Sequence, residues 1–387
     1  MHNPLEFATS FSAKLATRSR HVCAFLGAGA SRACGLPDVA LLQERVLSSL
    51  GTDDQSALAI QLKGRNLETA LSRLRRIAAL VTGDQTVDDL TAAKSTALDT
   101  AVCQAIVKEL DIEKADLVPA YHLAAWAARA NYRLPVEFFT VNYDLLLESA
   151  LERWRVPYFD GFVGTIRARF HTELVEGTAL SDGEWMPAFF VRLWKLHGSV
   201  NWAWQEDRQL VRLGQPVPKG LAAAIYPSDT KYEESRRVPF IVLQDRLRRA
   251  LHEPETLLII VGYSFGDSHL NELIFDAATR RERNEFIAFC YSEIPDVLAQ
   301  RAAITPNLQV VSGHEAIIGG VRAKWSTPEN APPNLWGDGQ FALRDFRNLA
   351  AYLARSASRE PSNDAVLHKV SGDGAKSEVT TGGNGDA

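Results

Sequence analysis

The stretch from His21 to Ser31 reads HVCAFLGAGAS, and it decides the fold. Its first six residues are nearly all apolar and β-prone, which is typical of a strand buried on both faces of a sheet. Gly27 and Gly29 follow directly. Glycines at such a junction let the backbone approach a pyrophosphate, whose charge is stabilised by free N–H groups where the next helix begins. The stretch predicts a strand, a phosphate-binding turn and a helix.

The glycine turn departs from the usual dinucleotide fingerprint G-x-G-x-x-G. Arg32 occupies the place of the third glycine, and no acidic residue ends a closely following second strand. Two glycines that close a strand also form an ordinary tight turn. Taken alone, the turn leaves both interpretations open.

Five further apolar segments have a similar composition and length. They are Val136 to Val141, Phe189 to Leu196, Leu257 to Val261, Glu285 to Cys290 and Leu308 to Ser312. Helical stretches stand between the segments, namely Tyr121 to Asn131, Leu145 to Arg153 and Asn271 to Arg283. This alternation predicts an α/β fold with a doubly wound, Rossmann-like parallel sheet.

Three stretches fall outside this alternation. Residues 41–120 have the pattern of several amphipathic helices, and we interpret them as a helical insertion. Residues 157–240 are largely irregular, with a part rich in Trp and Pro, and predict a small lobe over a ligand. Gly, Ser, Thr, Asp and Asn dominate residues 356–387, which predicts a disordered, flexible tail after one large domain of residues 1–355.

Composition limits the class of protein. The chain is 46% hydrophobic, and its net charge of −5 gives no general attraction to nucleic acid or to anionic membranes. No apolar run reaches the roughly 18 residues of a membrane-spanning helix, and the first residues carry no signal-peptide core. We therefore expect a cytoplasmic protein. Its four cysteines form no C-x-x-C pair, which argues against a zinc ribbon.

Polar side chains alternate where the second apolar segment ends. Thr140, Asn142 and Asp144 occupy every second position, so all three face one side of the chain. In an open α/β sheet, ligands bind beyond the carboxyl ends of the strands. These side chains suit the hydroxyls of a ribose, or a water held for attack. The structural alternative is that Asn142 and Asp144 cap the helix that begins near Leu145.

Two more segments end in polar turns. His197 follows the third segment in a Leu-His-Gly-Ser turn, and it is our candidate for a general base. Residues 262–269 read GYSFGDSH, in which Ser264 suits contact with a phosphate. Asp267 and His269 in the same run either reach a ligand or serve as a helix cap and its neighbour.

Residues 262–266 also match G-x-S-x-G, the nucleophile elbow of hydrolases. A triad in the order Ser, acid, His requires a later histidine, and His314 and His368 are the main candidates.

Taken together, four motifs in order resemble the sirtuin superfamily over roughly residues 23–312. They are the G-A-G-x-S loop with its following G-x-P, the T-x-N-x-D strand end, the L-H-G-S turn and the later G-x-S. The resemblance implies a fold that binds NAD+, with His197 as the catalytic histidine and Asn142 beside the nicotinamide ribose. The NAD+ contacts expected with them are Gly27, Ala28, Gly29, Ser31, Pro37, Thr140, Asp144, Gly262, Tyr263, Ser264, Asp267 and His269, and Asp144 is also expected to take part in catalysis.

The sequence differs from the protein-deacylating sirtuins in two features, and these differences limit the subfamily that it resembles. Those enzymes carry a four-cysteine zinc ribbon, which this chain lacks, and they follow G-x-P-D with Phe and Arg, where this chain has Val39 and Ala40. The Ile225 to Lys231 and Gly262 to His269 stretches look instead like the bacterial sirtuin-like NADases of anti-phage defence. This resemblance implies NAD+ hydrolysis without zinc, a homo-oligomer and a partner ATPase of the HerA type.

Other functions remain open at this level. The nearest enzymatic alternative is NAD-dependent protein deacylation or ADP-ribosyl transfer. A second alternative is a non-catalytic module that senses NAD or ADP-ribose and recruits an ATPase or nuclease partner. The sequence shows no metal-binding carboxylate cluster that would support cleavage of nucleic acid, and direct binding of nucleic acid stays open.

Overall fold

All six apolar segments form strands of one sheet. The computed structural model describes residues 1–177, 190–205, 209–219, 223–225 and 238–356. Within them the strands are β1 (His21–Leu26), β2 (Val136–Thr140), β3 (Tyr158–Phe159), β4 (Phe162–Val163), β5 (Ala168–Phe170), β6 (Val191–Lys195), β7 (Gly198–Trp204), β8 (Leu210–Arg212), β9 (Ala223–Ile225), β10 (Thr256–Val261), β11 (Glu285–Phe289), β12 (Leu308–Val311), β13 (Glu315–Ile318), β14 (Val321–Lys324), β15 (Trp336–Gly337) and β16 (Gln340–Phe341).

The helices of the same described ranges fall between these strands as the alternation predicts. They are α1 (Pro4–Ala16), α2 (Ala28–Ala33), α3 (Val39–Ser49), α4 (Thr52–Leu62), α5 (Leu67–Leu80), α6 (Ala92–Glu109), α7 (Val118–Arg129), α8 (Leu146–Arg153), α9 (Thr172–Glu176), α10 (Phe240–His252), α11 (Ser268–Arg280), α12 (Asp296–Ile304) and α13 (Phe346–Ser356), with short 3-10 turns at Ile112–Lys114 and Ala342–Arg344.

The main sheet has nine strands in the order β14-β13-β12-β11-β10-β1-β2-β6-β3. The six strands from β12 to β6 run parallel, and their order in the sheet is that of a Rossmann fold. From β1 the chain adds β2 and then β6 toward one edge of the sheet, and from β10 it adds β11 and then β12 toward the opposite edge. The strand order therefore reverses between β1 and β10, and the predicted fold class is confirmed.

Both faces of this sheet are buried. Val22, Ala24 and Leu26 of β1 face a core shared with α1, α7, α8 and α13. Cys23 and Phe25 face the opposite core, which contains α10, α11 and α12. Because side chains alternate along a strand, a continuous apolar run is needed when both faces are covered.

The stretch that we interpret as a helical insertion contains α4 to α6 and most of α3. It packs on a second, antiparallel sheet of order β4-β5-β8-β7-β9, and the two share a third core. This sheet occupies part of residues 157–240, which the sequence analysis describes as irregular. Four of its strands are only two or three residues long, so they are too short to show an alternating pattern.

The described residues belong to one compact unit, Met1–Ala357. The predicted tail lies outside the described residues from residue 357 onward, as do most of the Ile225 to Lys231 stretch and His368. Among the helices described above, none has the length and apolarity to cross a membrane.

Candidate functional site

Three glycines lie in backbone contact where the strand order reverses. Gly27 and Gly29 follow β1, Gly262 follows β10, and the Gly29 N–H donates to the Gly262 carbonyl at 2.8 Å. A Cβ added to Gly27 would lie 2.5 Å from the Gly262 oxygen, and one added to Gly29 would lie 2.7 Å from the Gly262 Cα. Gly262 has a φ of +67°, which glycine adopts without strain. Only glycine fits these positions, so the loops after β1 and β10 pack backbone against backbone at the switch point, the place where ligands bind in open α/β sheets.

Gly262→Ala should therefore destabilise the protein. The new Cβ would lie 2.3 Å from the Ala30 nitrogen, and a positive φ adds backbone strain, so we expect a loss of about 2–4 kcal/mol in the free energy of unfolding. Urea unfolding measures it. Gly51→Ala is the matched control, because an added Cβ there meets nothing within 4 Å and φ is −65°. Equal losses in the two variants would contradict the argument.

Several backbone N–H groups of the loop after β1 donate hydrogen bonds to backbone carbonyls. Gly27 N–H donates to the Val261 carbonyl at 3.0 Å, and Ala30 N–H donates to the Gly27 carbonyl at 2.9 Å. With the bond from Gly29 to Gly262, three N–H groups of the predicted phosphate-binding turn are paired with protein carbonyls. Ala28 begins α2, and Pro37 is buried two residues before α3.

Ser31, Asn142 and Asp144 form one hydrogen-bonded network at the carboxyl ends of β1 and β2. The Asn142 side-chain amide donates to the Ser31 hydroxyl at 2.8 Å and to the Gly27 carbonyl at 2.9 Å. Ser31 donates in turn to the Asp144 carboxylate at 2.5 Å. The two bonds donated by the Asn142 amide hold its nitrogen in place, and among the described residues the amide oxygen makes no hydrogen bond.

Thr140 and Asp144 also support the local backbone. Thr140 donates to the Leu26 carbonyl at 3.1 Å, and its hydroxyl accepts the Asn142 N–H at 3.0 Å. Asp144 accepts the Leu146 N–H at 3.1 Å where α8 begins. Asp144 thus bonds the first turn of α8, as the structural alternative predicts, and it also lines a small cavity together with Ser31, Thr140 and Asn142.

The side chains of His197 and Asp267 are in contact, although the strands that precede them, β6 and β10, lie three positions apart in the sheet. His197 lies in the turn between β6 and β7, while Asp267 comes from the loop after β10, and the His197 Nε2 is 3.3 Å from the Asp267 Oδ2. The β10 loop therefore crosses the ends of β1 and β2 to reach β6. Both side chains are about nine-tenths buried.

Asp267 is also the N-cap of α11, where it accepts the N–H groups of His269 and Leu270. Burial opposes ionisation of this carboxyl, but its hydrogen bond and charge interaction with His197 outweigh burial and hold the pKa of Asp267 below its usual range. Asp267 is thus an anion at neutral pH. In the described residues nothing is bonded to the His197 Nδ1, so that nitrogen is available to a ligand or water.

The other predicted contacts of the β10 loop lie in different settings. Tyr263 donates to the Asp267 carbonyl at 3.2 Å and stacks obliquely on Phe25. Ser264 and His269 are exposed. Within the described ranges no hydrogen bond joins Ser264 to a histidine, and His314 lies beyond β12 at the start of a hairpin. These residues give no support to the nucleophile-elbow interpretation.

Lys195 and Glu148 are site residues that the sequence analysis missed. Lys195 ends β6, is buried, and donates to the Glu148 carboxylate at 2.8 Å. Its ammonium also donates to the backbone carbonyls of Tyr143 and Asp144, so it ties β6 to the loop that carries Asn142. The available signal was a lysine at the end of an otherwise largely apolar segment, because a buried lysine needs partners.

The helical insertion reaches this loop as well. Tyr143, between Asn142 and Asp144, donates to Glu68 of α5 at 2.9 Å. Burial, with the adjacent Glu68 carboxylate, raises the pKa of Tyr143 well above its usual value, so the phenol remains a donor. The insertion thus contacts the loop between β2 and α8 that carries Asn142.

Residues 136–307 match the sequence model of the SIR2-like domain family. The match supports a sirtuin-like family and an NAD-related activity. It contains Asn142, Asp144, His197 and Asp267, whereas the glycine loop after β1 precedes it. No curated protein matches the chain.

Metal-binding side chains do not cluster in the part of the chain described above. No group of three or more His, Cys, Asp or Glu there is arranged to hold a metal ion. All four cysteines are buried and free, and burial raises the pKa of the Cys34 thiol, at the end of α2, to about 12. This thiol is therefore neutral and unreactive at physiological pH.

Proposed function

We propose that this protein is an NAD+ hydrolase that cleaves the bond between nicotinamide and ribose. The observation that carries the proposal is that Asn142 and the bonded His197–Asp267 pair follow the carboxyl ends of strands within one run of four adjacent parallel strands. Dinucleotides bind at this edge in Rossmann folds. The match to a SIR2-like domain supports NAD+ as the substrate.

The reaction takes up water and releases ADP-ribose, nicotinamide and a proton. Departure of nicotinamide neutralises the pyridinium charge and leaves an oxocarbenium-like centre on the ribose, so the protein has to orient a water and accept its proton. Asn142 is held by two donated hydrogen bonds, and its amide oxygen serves to orient the water. His197 accepts the proton, and the Asp267 carboxylate stabilises the imidazolium that forms.

The proposed biological role rests on the resemblance to NADases of anti-phage defence. In this role the enzyme depletes cellular NAD+ on infection and arrests growth. A homo-oligomer and a HerA-type ATPase are the proposed partners, and the ATPase is the proposed route by which nucleic acid influences the enzyme. The cytoplasm, where NAD+ is consumed, is the proposed location.

The test is NAD+ turnover by the purified protein, alone and with a candidate ATPase, followed by quantifying nicotinamide and ADP-ribose. Asn142→Ala should lower kcat at least about 100-fold, because it removes a preorganised polar group beside the reacting centre. Asn131→Ala, at an exposed position in the loop before β2, is the control and should keep wild-type turnover.

The products decide among the alternatives. Equal amounts of nicotinamide and ADP-ribose support hydrolysis, whereas transfer of an acyl or ADP-ribosyl group to a protein supports deacylation or ADP-ribosylation. Tight binding of NAD+ without products, alone and with the ATPase, would replace the hydrolase with a sensing module.

A further inference from the structure

A buried residue of the loop after β10 has a strained backbone. Phe265 has a φ of +56°, in the left-handed region that bulky side chains rarely adopt. Among the described residues, six other non-glycine residues have a positive φ, and all six are exposed, as in ordinary surface turns. Phe265 is 5% exposed. Strain at a buried residue persists only where the surrounding contacts fix it, and such residues cluster at functional sites.

Aromatic packing fixes the side chain of Phe265. Its ring stacks on Phe275 of α11, with centroids 6.1 Å apart and planes 2° apart. It also lies 4.8 Å from the Tyr263 ring, which in turn lies 4.8 Å from the ring of Phe25 in β1. Because apolar burial has no preferred direction, hydrogen bonds have to fix the orientation of the peptide groups in the loop.

Asn271 makes the hydrogen bonds that fix this backbone. It lies in the first turn of α11, four residues after Asp267, and is 6% exposed. Its side-chain amide donates to the Phe265 carbonyl at 2.8 Å, and its Oδ1 accepts from the Tyr263 hydroxyl at 3.0 Å. One buried side chain therefore holds the loop at two points shortly before Asp267.

The position of Asp267 depends on the conformation of this loop. Phe265 is only two residues before Asp267, and the Asn271 N–H donates to the Asp267 carbonyl at 3.0 Å. The Asp267 carboxylate lies 3.3 Å from His197, although β6 and β10 are three positions apart in the sheet. A backbone rotation at Phe265 would redirect the two residues that lead to Asp267 and would move its carboxylate away from the imidazole.

We infer that Asn271 is a positioning residue, which holds Phe265 in its left-handed conformation and thereby places the Asp267 carboxylate against His197. The catalytic part of the inference rests on the proposed function, in which this pair accepts the proton of the attacking water. The structural part is the dependence of the contact between Asp267 and His197 on Asn271, and it requires no substrate.

An NMR titration of the Asp267 carboxyl carbon tests the structural part, in the wild type and in Asn271→Ala. Burial opposes ionisation of Asp267, whereas the hydrogen bond and charge of His197 favour it and hold the pKa of Asp267 below its usual range. Loss of the contact should therefore raise the pKa of Asp267 in the variant at least to that of an unperturbed aspartate, about 3.9. The measurement uses the full chain without NAD+.

Steady-state kinetics tests the catalytic part. Asn271→Ala should lower kcat for NAD+ by roughly 10–100-fold, as expected when a catalytic group is displaced by about 1 Å, and should change KM by less than about twofold. Asn284→Ala is the matched control, because Asn284 is 1% exposed and donates to the backbone carbonyls of Leu251 and Glu253 before β11. It should lower stability and leave kcat and the titration of Asp267 as in the wild type.

Two results would overturn the inference. One is a folded Asn271→Ala protein in which Asp267 titrates as in the wild type, and the other is an equal loss of kcat in Asn284→Ala. If Asn271→Ala does not fold, Tyr263→Phe removes one hydroxyl bonded to Asn271 and should raise the pKa of Asp267 by a smaller amount, whereas an unchanged pKa would reject the inference. If the wild type does not turn over NAD+, the proposed function fails, and the titration still decides whether Asn271 positions Asp267.

Discussion

His197→Ala should lower kcat for NAD+ hydrolysis by about 10²–10⁴-fold, the usual contribution of a positioned general base. The histidine is held by Asp267 at 3.3 Å, so its loss removes both the proton acceptor and the partner of a buried carboxylate. KM should change much less than kcat, because the imidazole accepts its proton only as the water attacks. Steady-state kinetics with nicotinamide release as the readout measures both constants.

Two further variants test whether the loss of kcat comes from the His197–Asp267 pair or from replacing any histidine of the protein. Asp267→Asn keeps the shape of the cap but removes the charge, and it should lower kcat by a smaller factor than His197→Ala. His314→Ala changes an exposed histidine after β12 and should leave kcat as in the wild type. If His197→Ala folds and retains more than a tenth of wild-type kcat, His197 is not the base.

The pH dependence of the pair follows from Asp267. Its pKa is lowered in the folded protein, so the carboxylate contributes stability above the pKa of an unfolded aspartate, about 3.9, and loses it as the pH falls through the lower, folded value. The negative charge beside His197 is therefore present throughout the neutral range. Loss of activity near neutral pH cannot be assigned to protonation of Asp267.

The apolar segments predict the six central parallel strands of the main sheet, whereas β3, β13 and β14 at its edges have no such segment. The segment His21 to Leu26 coincides with β1, because a strand buried on both faces gives an unbroken apolar run. Ser31, Asn142 and Asp144 were also placed at one edge, since the ends of parallel strands meet there. Their mutual hydrogen bonds follow from that proximity.

Other parts of the site depend on contacts that no local pattern contains. Asp267 contacts His197 although their strands lie three positions apart in the sheet, and its local sequence indicates only a ligand contact or a helix cap. Glu148 lies on an amphipathic helix, where a glutamate is ordinary, and only the cavity and Lys195 distinguish it. Four strands of the second sheet are too short to show an alternating pattern of apolar and polar residues.

Glu137→Gln should destabilise the protein by about 3–5 kcal/mol, the cost of breaking a buried ion pair by removing one partner. Glu137 is 1% exposed, and Arg246 of α10 donates to both of its carboxylate oxygens. His21 lies 3.0 Å from it, and the Trp194 indole donates to it at 2.6 Å. The variant would leave the Arg246 guanidinium buried without an anionic partner.

Urea unfolding at pH 7 measures this loss, and Arg249→Met on the same helix is the control. Arg249 pairs with Asp245 at the surface, so its removal should change stability by less than about 1 kcal/mol. Glu137→Met combined with Arg246→Met should recover part of the loss, since an apolar pair avoids the cost of an unpaired charge. A Glu137→Gln protein as stable as the wild type would show that Glu137, Arg246, His21 and Trp194 do not form an energetically coupled cluster.

Acid should narrow the difference between the wild type and Glu137→Gln. Burial opposes ionisation of Glu137, but Arg246 and His21 outweigh it and hold the pKa of Glu137 well below its usual range. The carboxylate therefore stabilises the fold fully above the pKa of an unfolded glutamate, about 4.3, and this stability is lost as the pH falls through the folded value. A difference that stays constant in acid would mean that the lost stability is not electrostatic.

The cluster links the strands that carry the proposed site. Glu137 of β2 contacts His21 of β1 and Trp194 of β6. The carboxyl ends of these three neighbouring parallel strands lead to Gly27, Asn142 and His197. Glu137 is three residues before the end of β2, which is about 10 Å along the strand. Glu137→Gln should therefore lower the melting temperature while folded protein keeps wild-type kcat for NAD+. A fall in kcat at temperatures where the variant is fully folded would show that the cluster sets the geometry of the site rather than only the stability of the sheet.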